Sequence, residues 1–154
     1  MEALFSADSH VVENEDCYAE IDPRFPELRP RAVHDPATGA IMVVPGLDFT
    51  VPASSLSRAG RAYEDWKLPQ RWAELHPAGR DPKARLAIQD EEGIVGEVIY
   101  PSVGMVICLH GDASYRKACF DAYNRWLAGF CATAPERVLG IGMAAVWPRA
   151  GGGA

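Results

Sequence analysis

At 154 residues and 48% hydrophobic, the chain has enough apolar material for one domain with a real core, which sets intrinsic disorder aside. The formal net charge is −6 and the 15 lysines and arginines are scattered, so the concentrated positive field that nucleic acid or an anionic membrane demands is lacking. Met1 to His10 carries Glu2 and Asp8 and is no signal peptide, and no stretch approaches the roughly 18 to 20 apolar residues of a membrane span; a soluble, cytoplasmic protein is expected.

The first predicted element is a strand over Leu4 to Ser9, apolar through Leu4, Phe5 and Ala7 before the polar triplet Asp8-Ser9-His10. Residues 22 to 36 contain Pro23, Pro26, Pro30 and Pro36, which predicts an extended surface segment. Ile41 to Val44 and Leu47 to Val51 flank Pro45-Gly46 and predict a short β-hairpin. Pro52 to Gly79 is expected to be loop and irregular helix, with Trp66 and Trp72 as its packing anchors.

The second half is more regular. Asp81 followed by Pro82 supplies an N-cap oxygen and a first-turn proline for a helix over Lys83 to Glu92, which Gly93 stops. Val95 to Pro101 reads as a strand ended by proline. After a loop from Ser102 to Gly111, Asp112 caps a helix reaching about Thr133, with Tyr115, Cys119, Ala122, Trp126 and Phe130 as its buried stripe. Arg116, Lys117, Asp121 and Arg125 fall largely off that stripe. Val138 to Val146 is apolar throughout, as in a parallel strand buried on both faces, and completes a βαβ unit. Pro148 to Ala154 has a flexible composition.

The most informative short motif is Asp8-Ser9-His10. Residues i and i+2 of a strand project to one face, so a carboxylate and an imidazole would converge, a pairing that suits zinc, or manganese where oxygen ligands dominate. The plainer alternative has Asp8 capping the next turn while His10 bonds locally. Glu13 either approaches the same region or is a surface or capping carboxylate. Cys17, Cys108, Cys119 and Cys131 form no metal-binding spacing and are read as reduced thiols without a catalytic role.

Three ordered segments, SADSHVVEN, PKARLAIQDEEGIVGEVIYPSVG and ACFDAYNRWLAGFCATAPERVLGIGMAAVW, resemble the amidohydrolase-related family of metal-dependent hydrolases. That group includes aminocarboxymuconate-semialdehyde decarboxylase and γ-resorcylate decarboxylase. The resemblance implies an α/β fold, a partial (β/α)8 TIM-type barrel comprising its first three β/α units, with a β-hairpin insertion after the first strand. It implies a barrel domain over residues 1 to 147, and hydrolysis or nonoxidative decarboxylation of a small carboxylated substrate. Asp8 and His10 would be metal ligands, zinc first and manganese as the alternative. The family adds a histidine from about the fifth strand and an aspartate from the eighth, segments absent from this sequence. A whole barrel takes about 250 residues, so the expectation is a truncated form without a complete active site.

Barrel active sites lie at the C-terminal ends of the strands, which makes Tyr100 and Ser102 candidates for lining a substrate pocket. His110 is a weaker candidate for the same face, whereas His34 and His76 read as loop histidines. Arg58, Arg61 and Arg71 could pair with a substrate carboxylate, though solvated loop arginines are the plainer reading. A homo-oligomer is allowed. The rival to the enzyme is a non-catalytic fragment or small α/β binding module that associates through its open sheet edge.

Overall fold

The computed structural model describes residues 3–57, 62–65 and 70–146. Strands β1 (Leu4–His10), β5 (Ile94–Tyr100) and β6 (Val138–Gly140) form a parallel sheet in the order β1-β5-β6. Strands β2 (Arg31–Asp35), β3 (Gly39–Val43) and β4 (Thr50–Pro52) form a separate antiparallel sheet inserted between β1 and β5. The helices are α1 (Ala53–Leu56), α2 (Pro82–Glu92), α3 (Val103–Ile107) and α4 (Ala113–Cys131), and single 3₁₀ turns lie among the irregular segments.

Local chemistry explains the long helices. The Asp81 carboxylate accepts from the N–H groups of Lys83 and Ala84 at the start of α2, and Gly93 ends it at φ 72°, where a Cβ would be strained. Asp112 caps α4 in the same way through Ser114 and Tyr115. The expected α4 stripe is buried at Tyr115, Cys119, Ala122 and Phe130, with Trp126 partly buried against the core, and it also takes in Ala118, Tyr123 and Leu127.

Four expectations are corrected. The hairpin pairs Ile41–Val43 with Thr50–Pro52, and Val44 to Phe49 form its loop, because Gly46 at φ 90° makes a turn that breaks the ladder. The proline-marked segment contains strand β2, since Pro30 and Pro36 flank it and leave the N–H groups of residues 31–35 free to pair with β3. The expected loop after Ser102 begins with α3. The last strand ends at Gly140, with one further bond from the Ile141 N–H to the Ile99 carbonyl, and it is not buried on both faces. Leu139 and Ile141 are each 42% exposed, because among the described residues nothing covers that side of the sheet and β5 alone pairs with β6. Trp66, Arg58, Arg61 and the Pro148 to Ala154 tail lie outside the described residues.

The sheet has two unlike faces. Ile99 and Val138 face α4 and are fully buried, and a Cβ at Gly140 would strike Leu127 and Cys131. On the same side, towards α2, Glu97 receives a bidentate pair from Arg85, Nε to Oε1 at 2.6 Å and Nη2 to Oε2 at 3.0 Å, together with a hydrogen bond from Gln89. Arg85 Nη1 donates to the carbonyls of His10 and Ala78, both at 3.1 Å. Burial alone would raise the Glu97 carboxyl, but the bonds from Arg85, Ser9 and Gln89 outweigh it and hold it below the ordinary value of 4.5.

Removing one member of this buried pair strands the other. Glu97→Leu is expected to lower the urea-unfolding free energy by about 3 kcal/mol, and Arg85→Met with Glu97→Leu to restore most of it. The stabilisation from the ionised carboxylate is complete above pH 4.5 and is lost as pH falls through the lower folded value, so a Glu97→Gln chain should show a flatter acid limb.

Candidate functional site

The C-terminal ends of β1 and β5 meet at Asp8, His10 and Tyr100. Pairing runs Phe5 to Gly96, Ser6 to Glu97, Ser9 to Ile99 and His10 to Tyr100, so β1 spends three steps where β5 spends two. This bulge puts Ser6 and Ser9 on one face, their hydroxyls 2.9 Å apart beside Glu97, although strict alternation would oppose them. It also turns Asp8 and His10 to the uncovered face, where the rings of His10 and Tyr100 stack with centroids 5.9 Å apart.

The two donors predicted from sequence converge: His10 Nε2 lies 3.4 Å from Asp8 Oδ1. His10 Nδ1 is 2.9 Å from the Pro101 carbonyl, which can only accept, so Nδ1 carries a proton and Nε2 is the ring atom that faces the carboxylate. Carboxylate oxygen and imidazole nitrogen are both atom types that ligate divalent metals. A tetrahedral zinc site with bonds of about 2.1 Å separates neighbouring donors by about 3.4 Å, so the pair fits one edge of such a site. Among the described residues no group of three or more His, Cys, Asp or Glu donors gathers.

The loops behind this edge are held by Glu13, a residue with no solvent exposure. Its carboxylate accepts from the N–H groups of Ser102 at 3.0 Å, Val103 at 2.9 Å and Gly104 at 2.9 Å, capping α3. Burial raises this carboxyl, while the hydrogen bonds from Gly104, Val103 and Ser102 oppose it. Every partner is a donor, so the ionised form is the one they satisfy. Ser102 itself is buried; its hydroxyl donates to the Val11 carbonyl at 2.7 Å and lies 3.4 Å from His10 Nδ1. It thus braces the histidine, whereas Tyr100 stands half-buried at the mouth.

The remaining candidates lie elsewhere. His110 stacks on Tyr115 at 4.3 Å, beside Gly46, whose positive φ and missing Cβ make room for the ring. His34 is exposed on β2, and His76 accepts from the Ala78 N–H. Arg71 pairs with Glu74 at 2.7 Å. Trp72 packs against the core as expected. Cys17 and Cys119 are buried, with thiols pushed up by desolvation, and all four cysteines are free. The Arg85–Glu97–Gln89 cluster was not foreseen; the one available signal was a charged residue inside the otherwise apolar run of β5.

In shape the chain is similar to an amidohydrolase from Mycobacterium avium subsp. paratuberculosis K-10, with a TM-score of 0.62 and 19% sequence identity. The match covers 91% of this chain and 42% of that one, so the chain spans less than half the length of its neighbour. No family model and no curated protein matches the sequence. At this identity the likeness establishes an amidohydrolase-like α/β fold, consistent with part of a TIM barrel. Among the described residues no helix is long and apolar enough to cross a membrane.

Glu13→Gln turns an amide NH₂ towards the N–H donors of α3. It is expected to cost about 2 kcal/mol of unfolding free energy, and, by NMR, to move the His10 ring resonances along with the amides of residues 102–104.

Proposed function

We propose that this chain supplies the Asp8–His10 edge of a divalent metal centre in an amidohydrolase-type hydrolase. The centre would serve hydrolysis, or nonoxidative decarboxylation, of a small carboxylated substrate. The observation that supports the reading is the 3.4 Å approach of His10 Nε2 to Asp8 Oδ1, with Nδ1 engaged by the Pro101 carbonyl and Nε2 left as the ring atom on the side of the carboxylate. The location supports it, since strand C-terminal ends are where barrels of this architecture place their chemistry. The amidohydrolase-like fold supports it independently.

One carboxylate oxygen and one imidazole nitrogen suit zinc first and manganese second. When bound, such a metal acidifies a coordinated water or polarises a substrate oxygen. Asp8 would contribute charge and His10 a directed lone pair. Pro101 and Ser102 would keep the imidazole from rotating, and Arg85 would hold the His10 backbone through its carbonyl. Tyr100, stacked beside His10, would offer an aromatic wall and a hydroxyl to the substrate. Completion of the ligand set requires donors beyond this pair.

The test is zinc affinity measured against a chromophoric chelator. Asp8→Asn and His10→Ala are each expected to weaken binding at least tenfold, with an unchanged far-UV circular dichroism spectrum because both side chains sit at a partly open mouth. Wild-type affinity in both variants would remove the reading.

A further inference from the structure

A cavity of about 330 Å³ lies among the segments that join β1 to α2, lined by Asn14, Glu15, Ala32, Trp72, Ala73 and Arg80. Two of these side chains carry a buried nitrogen without a hydrogen-bond partner, Arg80 Nη1 and Trp72 Nε1. Buried donors nearly always meet an acceptor, because an unsatisfied one has given up its hydration for nothing, and the loss is greatest for a charged group. Here both belong to the wall of one cavity. Trp72 and Arg80 are half-buried as whole residues and Ala73 is exposed, so a small molecule can enter.

Both walls are held in place through their own backbone. The Val12 N–H donates to the Gly79 carbonyl at 2.7 Å, and a Cβ on Gly79 would strike the Val12 side chain. This seats Arg80 beside the chain that leaves β1. The Arg80 N–H donates to the Pro77 carbonyl at 2.9 Å, and the next residue, Asp81, caps α2. Trp72 opens a 3₁₀ turn, Trp72–Glu74, that is closed by the bonds of Arg71 to the Glu74 carboxylate. Little ordering is left for a ligand to impose.

We infer that this cavity binds a small monocarboxylate, with its oxygens on Arg80 and the Trp72 indole N–H and its apolar body against the Trp72 ring, Ala32 and Ala73. A guanidinium fork matches the two oxygens of a carboxylate, and guanidinium and indole N–H can only donate, so their partner must accept. Charge narrows the class. Glu15 lines the same cavity, is exposed, and does not hydrogen-bond Arg80 Nη1. One positive charge with a carboxylate nearby suits a single negative charge and disfavours a dianion such as phosphate. The two alanine methyls and the indole face suit a hydrocarbon body. The site uses neither Asp8 nor His10, so the inference goes beyond the metal reading and does not depend on it.

The test is a titration of the whole chain with sodium cyclohexanecarboxylate, in chelator and at constant ionic strength, followed by NMR at the Trp72 indole N–H and the backbone amides of Asn14 and Arg80. A saturable shift of all three is expected, with the neutral cyclohexanecarboxamide binding at least tenfold more weakly. Arg80→Gln is expected to weaken the acid at least tenfold and Trp72→Phe, which keeps a ring but loses the N–H, about fivefold, both with an unchanged circular dichroism spectrum. Glu15→Gln, which removes the competing charge, is expected to tighten binding about twofold. No saturation below tens of millimolar, or equal affinity in Arg80→Gln, would overturn the site. Inorganic phosphate binding as tightly as the acid would overturn the monocarboxylate assignment.

Discussion

Glu13 lies out of contact with water beneath the ends of β1 and β5, and its two oxygens collect the N–H groups of Ser102, Val103 and Gly104. Among the described residues the carboxylate has no cationic partner, and its oxygens are met by backbone N–H groups at the start of α3. Around it the segments following the two strands are stitched together, Val11 N–H to the Tyr100 carbonyl and the Ser102 hydroxyl to the Val11 carbonyl. His10 is caught in this stitching. Its imidazole is held on Pro101 in front and its carbonyl on Arg85 behind.

Arg85 and Glu97 do the corresponding work on the other side of the sheet. A guanidinium making four hydrogen bonds ties α2 to β5 and, through two carbonyls, to the end of β1 and the turn at Ala78. Such a pair contributes less net stability than its geometry suggests, because both charges lost their hydration to form it. What it contributes is a defined position: α2 has one place from which all these bonds can be made. The Asp8–His10 pair is therefore supported by two buried anchors, Glu13 on one side and the Arg85–Glu97 pair on the other.

The elements that the sequence announces are those with local chemistry. Asp81-Pro82 with Gly93 bounds α2, Asp112 starts α4, and the β-branched run of β5 is legible from propensity. The pairing of Asp8 with His10 is legible too, from period-two spacing. Which side of the sheet they look to is not, because the bulge between Ser6 and Ser9 shifts the alternation and nothing in Ser6-Ala7-Asp8-Ser9 marks it. Strand β6 is shorter than its apolar run, since among the described residues β5 alone pairs with it. Arg85 meets Glu97 across twelve residues of sequence, and Glu13 meets α3 across about ninety, distances at which spacing carries no information.

The bulge in β1 divides that strand into two mechanically separate parts. Upstream, Phe5 answers to Gly96 and to its own pleat; downstream, Ser9 and His10 answer to Ile99 and Tyr100 and are locked by the loop that follows. Slippage of the N-terminal few residues by one position would flip Phe5 between faces yet leave the imidazole aimed as before. The orientation of His10 is inherited from the chain ahead of it rather than from the strand that carries it, so sequence drift near the N-terminus can proceed without disturbing its aim.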